Sequence, residues 1–160
     1  MTVNSSECEG LVALADAIAV EAHRGQTDKL GVDYIEHPRS VSRRIDQGDE
    51  IAVAAGLLHD VVEDSGITAE NLLERGVPAD VVEVVTLLTR DKDVPDEDYY
   101  AAIRRHDCAR VVKLADLADN TDLERFRQLP EELQQKLTRK YTKAYRALDR
   151  DDLAEALLSR

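Results

Sequence analysis

Apolar residues along the chain recur at intervals of three and four rather than two. Leu11, Leu14, Ala15, Ile18, Ala19 and Ala22 fall on one helical face, and Gly25 stops that helix. Residues 26–37 hold the turn formers Asp28, Gly31 and Asp33 and predict a loop. Pro38 suits the first turn of a helix over 38–47, which puts His37 at its N-cap, facing outward. A more apolar helix is predicted over 50–64, closing at Ser65-Gly66, and Thr68 with Glu70 and Asn71 starts a short one. After Pro78, the segment ADVVEVVTLLT is rich in β-branched residues and could pass for a strand. Its apolar pairs Val81/Val82, Val84/Val85 and Leu87/Leu88 repeat every three residues, which favours a broadly buried helix. A polar loop over 90–97 leads to helices over 98–106 and 108–119. Pro130 and two glutamates that suit a helix N-terminus open a last long helix over 131–158. No repeat, low-complexity tract or linker breaks the pattern, so one all-α domain is expected over residues 1–160.

Composition narrows the function classes. A chain of 160 residues, 43% apolar, can bury a real core. Its 21 basic residues against 33 acidic ones leave a net charge of −12, which disfavours nucleic acid and anionic membranes as partners. A small anionic ligand stays open, because a bound divalent metal can dominate the field inside one pocket. Cys8 and Cys108 have neither metal-site nor redox spacing and read as free thiols of a reducing compartment. The start of the chain, MTVNSSECEG, has no basic or apolar leader, and no apolar run approaches the ~18 residues a membrane span needs. A cytoplasmic protein is expected.

One stretch departs from this economy. In AAGLLHDVVEDSG, residues 54–66, four ionisable side chains interrupt the most apolar helix: His59, Asp60, Glu63 and Asp64. Such groups are rarely buried unless paired or bound to a metal. Residues four apart are helix neighbours, so His59 should stack with Glu63 and Asp60 with Asp64, giving one charged corner on a buried helix. Asp116 and Asn120 make a second pair four apart in VVKLADLADN. Taken singly, each has a plain explanation: His37 as a solvated cap, Glu63 and Asp64 as helix-end surface charges, Asp116 as an exposed acid. Tyr34 reads as core or loop packing, Tyr99 and Tyr100 as phosphate contacts or helix-start packing, and His106-Asp107 as an exposed helix end.

The order His, His-Asp, Asp resembles the HD superfamily of metal-dependent phosphohydrolases. More narrowly, AHRGQ with YIEHP, AAGLLHDVVEDSGIT and VVKLADLADN are similar to the hydrolase domain of the RelA/SpoT proteins and the small alarmone hydrolases, over about residues 15–125. The resemblance implies an HD-type helical bundle and removal of the 3′-pyrophosphate of ppGpp and pppGpp, usually with Mn²⁺. It implies His37, His59, Asp60 and Asp116 as metal ligands, and Glu63 and Asp64 as the catalytic pair. Two imidazoles and two carboxylates leave room for other ligands on a six-coordinate ion. Asn120 matches the family's substrate-side asparagine. Arg24, Lys29 and Lys113, within or beside these motifs, are the expected phosphate contacts, with Lys29 at the family's position.

The chain departs from the pattern at three places. Asp28 stands where the family carries an arginine before the lysine, and Leu117 and Asp119 replace Arg and His in LADRLHN. A carboxylate can replace a guanidinium neither as a stacking plane nor as a phosphate fork. Asp28 is therefore expected to weaken a tetraphosphate more than a compact monoester. The chain ends after its last helix and reads as a stand-alone hydrolase. The readings carried forward are a phosphorylated-nucleotide hydrolase with ppGpp as best guess, and an HD hydrolase of another ester such as a nucleotide monophosphate or NADPH. A non-catalytic nucleotide sensor and a helical scaffold are the other classes.

Overall fold

The helix richest in apolar residues lies where that richness requires, at the centre. The computed structural model describes residues 5–160, with side chains from residue 10 onward, so Cys8 lies outside the described side chains. Helix α3 (Glu50–Leu58) buries every residue from Ala52 to Leu58. Around it pack α1 (Ser5–Ala22), α2 (Glu36–Arg43), α6 (Ala79–Leu88) and α8 (Asp107–Asn120). Asp49 starts α3 by accepting the Ala52 amide at 3.1 Å, a side-chain cap for one of the four orphan donors there. Segment 79–88 is helical, as its three-residue repeat predicts, and buries Val81, Val82, Val84, Val85 and Leu88. Packing thus overrides the strand preference of its valines.

The outer helices complete the bundle. Helix α4 (Val61–Asp64) follows α3 directly, and α5 (Ala69–Glu74) opens on a reciprocal Thr68–Asn71 capping box. Helix α7 (Asp96–Arg105) is tied to the end of α6 by the Tyr99 hydroxyl, which donates to the Leu88 carbonyl at 2.8 Å. Then come α9 (Leu123–Phe126), α10 (Glu131–Ala147) and α11 (Asp151–Leu158), the last two packed on each other. His106 caps α8, its ring accepting the Ala109 amide at 3.2 Å, so the helix-end reading of His106-Asp107 holds.

Three expected boundaries are corrected. Helix α2 begins at Glu36, not Pro38, so His37 lies inside its first turn and is buried at 7% exposure rather than facing outward. The amides of Glu36 and His37 close turns onto Asp33 and Tyr34, which starts the helix early, and Pro38 still falls where its missing N–H costs nothing. The 50–64 helix breaks at His59-Asp60, where Asp60 has φ −102° and ψ −2°. His59 Nδ1 donates to the Gly56 carbonyl at 2.6 Å, the acceptor a continuing helix would offer to the Asp60 amide. The last helix divides at 148–150, where Asp149 takes φ +59° and turns the chain back so that α11 packs on α10.

One close approach fixes the seam between α2 and α3. A Cβ on Gly56 would stand 2.8 Å from Ser42 Oγ and 3.1 Å from Ile45 Cδ1. Ser42 cannot give way freely, because its hydroxyl donates to the Val53 carbonyl at 2.8 Å inside the core. Gly56→Ala gains up to about 1 kcal/mol of helix propensity and loses about 1–3 kcal/mol to overpacking. The expected result is a lower urea midpoint. A midpoint unchanged or raised contradicts this account of the seam.

Candidate metal centre

Three helix segments deliver their polar side chains to one buried point. His37 comes from the first turn of α2, His59 and Asp60 from the break after α3, and Asp116 from the buried face of α8. His37, His59 and Asp60 each offer a ligand atom within 4.8 Å of the others. Asp116 Oδ1 lies 2.9 Å from His37 Nε2 and 3.4 Å from His59 Nε2, and Asp60 Oδ2 is 3.1 Å from His59 Nε2. Residues up to 79 positions apart therefore meet as the sequence predicts.

The outer edges of both imidazoles are already taken. His59 Nδ1 is held by the Gly56 carbonyl, and His37 Nδ1 lies 2.7 Å from Asp119 Oδ2. Each Nε2 is left facing the carboxylates, which is how protein partners present a histidine to a metal. His59 Nε2 is buried and makes no hydrogen bond despite two carboxylates nearby. A buried ring nitrogen without a hydrogen-bond partner is costly, and a cation at the centre would satisfy it. The site's donor set of imidazole nitrogen and carboxylate oxygen suits a divalent transition ion.

The local field points the same way. Burial opposes charge on His59, yet Asp60 and Asp116 outweigh it and hold the imidazole well above its ordinary value. Burial likewise opposes Asp60, but His59 and His37 push its carboxyl down to about 2. Asp116 is held well below the usual carboxylate range against burial, chiefly by Lys113 and the two imidazoles. The carboxylates are thus ionised at neutral pH, and the centre draws positive charge, for which protons and a metal ion compete.

A cavity of about 350 Å³ opens from this centre, within the size range of small-molecule sites. Glu63 lies on its rim, with Oε1 accepting the Arg90 amide at 2.9 Å. Arg90 stacks its guanidinium over Tyr99, 4.0 Å from the ring centroid. Lys29, Lys113 and Asn120 line the cavity as expected, and α10 contributes Leu137, Lys140 and Tyr141.

The HD domain family profile matches residues 15–151. The chain belongs to the HD domain family. It is 35% identical over 122 residues to zebrafish (Danio rerio) guanosine-3′,5′-bis(diphosphate) 3′-pyrophosphohydrolase MESH1, covering 70% of this chain and 67% of that one. Over 84 residues it is 40% identical to a probable enzyme of the same name from Synechocystis, covering 50% of this chain but only 11% of the relative. A solved metazoan ortholog of SpoT that hydrolyses ppGpp superposes with a TM-score of 0.68 at 25% identity, covering 92% of this chain and 88% of that one. The helical bundle is the HD fold.

Within this HD domain, some expectations fail. Arg24 is exposed and does not line the cavity, because the turn at Gly25, with φ +79°, carries the chain out of α1 beside it. Asp64 is exposed and also absent from the cavity wall. The break at Asp60 leaves Glu63 alone on the rim, and Asp64 is joined to the fold through its carbonyl, which accepts from Gln26 at 2.8 Å. Glu63 reaches toward α6 rather than stacking on His59. Tyr34 is more than packing: its hydroxyl donates to Asp60 Oδ2 at 2.6 Å.

Asp119, read as a departure from the motif, turns out to orient His37. The residue is 1% exposed, and the hydrogen bonds of His37 and Ser40 hold its carboxyl pKa down to about 2 against burial. Ser40 Oγ donates to it at 2.5 Å and Arg125 at 3.0 Å. The signal was available, since Asp119 is three residues beyond Asp116 and so shares its helical face. Arg90 and Lys140 gave no such signal. Asp119→Asn keeps the shape of this contact and removes its charge, and metal affinity is expected to fall by about 10–100-fold. Titration calorimetry with Mn²⁺ reads this directly, and an unchanged affinity removes Asp119 from the role.

Proposed function

We propose that this HD domain hydrolyses ppGpp at the 3′ position, with Mn²⁺ held by His37, His59, Asp60 and Asp116. The observation that carries the proposal is the pair of imidazoles, each fixed through Nδ1 with Nε2 turned to the same two carboxylates, at the floor of a cavity lined by cations. Relatives named as ppGpp hydrolases support the substrate. An ion bound there supplies Lewis acidity to a phosphoryl oxygen and lowers the pKa of water.

The chain's own residues do the rest. Glu63, tethered through Oε1, keeps Oε2 for the attacking water and takes its proton. Lys113, mostly buried and 3.0 Å from Asp116, adds positive charge beside the cleaved group. Asn120 donates to Asp116 Oδ1 at 3.1 Å and steadies that carboxylate on the substrate side. Asp64, lying off the cavity wall, supports the turn instead. The products are pyrophosphate and the nucleoside 5′-diphosphate. Cysteine usage, with Cys108 a free thiol, supports a cytoplasmic setting.

One observation favours a second reading, hydrolysis of a less charged ester such as a nucleotide monophosphate. Asp28 lines the cavity where the resemblance expects arginine. Its carboxylate is turned onto its own loop, however, accepting the Leu30 and Val32 amides at 2.8 and 3.0 Å. The negative charge is therefore partly neutralised by the turn it builds.

Two variants test the assignment against a panel of ppGpp and simple nucleotide esters assayed with Mn²⁺. Asp60→Ala should abolish metal binding while leaving the helical circular dichroism largely intact. Glu63→Gln should keep the metal and lose about 10²–10⁴-fold in rate. Full metal occupancy in Asp60→Ala contradicts the ligand set. Wild-type turnover in Glu63→Gln contradicts the proton acceptor. Failure of the native protein to cleave ppGpp while cleaving a monophosphate favours the second reading, and failure on every ester favours a sensor.

A further inference from the structure

Five cationic side chains line the cavity: Lys29, Arg90, Lys113, Arg125 and Lys140. Three are already matched by carboxylates. Lys113 pairs with Asp116 and Arg125 with Asp119, each at 3.0 Å, and Arg90 pairs with Asp96. Neither Lys29 nor Lys140 has a carboxylate oxygen within 4.0 Å among the described residues. Among the cations that line the cavity, these two alone are left without a carboxylate among the described residues. Asp28, beside Lys29 in sequence, spends its carboxylate on the amides of its own turn.

We propose that Lys140, brought to the cavity by α10, joins Lys29 in a second phosphate subsite that selects substrates carrying a phosphoryl group besides the one cleaved. This rests on the reading that the cleaved group sits at the metal centre. There the ion, with the Lys113–Asp116 pair beside it, would take one anion, and nothing at that end uses Lys29 or Lys140. A ligand with a single phosphoryl group leaves the pair unmatched, whereas a doubly phosphorylated one fills both places.

The surroundings of Lys140 agree. Lys140 is an exposed side chain on the cavity wall; partial burial, then the nearby charges of Lys113, Lys29 and Arg90, hold its ammonium below the ordinary lysine value against the pull of Asp116. Its Nζ lies 5.6 Å from the centroid of the Tyr141 ring, a weak contact that leaves the charge unneutralised. An incoming phosphate relieves this repulsion and gains a charge-assisted hydrogen bond. The anchoring cation on this wall thus comes from the α10 helix, in a protein whose Gly25–Tyr34 loop carries Asp28 where its resemblance expects an arginine.

Binding separates this from the proposed activity. Mn²⁺-loaded Glu63→Gln protein is titrated with ppGpp and with guanosine 3′-diphosphate, which lacks the 5′ phosphates. The first should bind at least about tenfold more tightly, and adding Lys140→Gln should erase about tenfold of that preference. Lys140→Arg should restore most of it, which a merely structural role for the side chain would not do. Equal affinities for the two ligands, or a preference untouched by Lys140→Gln, overturns the subsite. So does a loss shared equally by both ligands. Turnover of ppGpp by the unaltered enzyme, measured separately, speaks only to the proposed function.

Discussion

His37 is gripped from two sides inside the core. Asp119 holds its Nδ1 at 2.7 Å and Asp116 faces its Nε2 at 2.9 Å, both from α8, while the imidazole itself belongs to α2. Taking an imidazole and two carboxylates out of water costs several kcal/mol per ion, and it is tolerable only when every partner is in place. That requirement fixes α2 against α8 and, through His59 and Asp60, the end of α3. The break after Leu58 belongs to the same arrangement, since there His59 Nδ1 takes the Gly56 carbonyl and leaves Nε2 to the carboxylates.

The same arrangement makes an acidic protein hospitable to anionic substrates. The net charge of −12 repels phosphate at long range, but screening limits that field to about 10 Å at ordinary salt. Inside the cavity the balance reverses. Lys29, Arg90, Lys113, Arg125 and Lys140 line its walls, and an ion bound as proposed by two ionised carboxylates would add positive charge where Coulomb attraction is stronger than in open water. The proposed second subsite assigns specificity to the two cavity cations, Lys29 and Lys140, that have no carboxylate partner among the described residues.

What was legible in the sequence follows from how each feature is encoded. Helices were readable from apolar repeats of three and four, and the convergence of His37, His59, Asp60 and Asp116 was readable from the resemblance of the ordered His, His-Asp and Asp motifs to the HD superfamily. Segment 79–88 shows this best, since its period outweighed its β-branched composition. Breaks inside a continuous pattern were not readable. The chain turns at Asp60 because an imidazole competes for a backbone carbonyl, and at Asp149 through one left-handed residue, and neither interrupts the apolar repeat. Residues that act through others were also missed. Tyr34 and Asp119 look like packing and a motif mismatch until Asp60 and His37 are placed beside them. Arg24 was assigned by proximity in sequence, and a single turn at Gly25 removes it from the site.

The central claim is that one divalent ion sits between both imidazoles and the carboxylates of Asp60 and Asp116. Extended X-ray absorption at the manganese edge, on protein loaded with one equivalent of Mn²⁺, tests it without recourse to activity. The account predicts a nitrogen and oxygen shell at about 2.0–2.3 Å with the multiple-scattering signature of two imidazoles. A spectrum fitted by oxygen ligands alone, with no imidazole scattering, would contradict it.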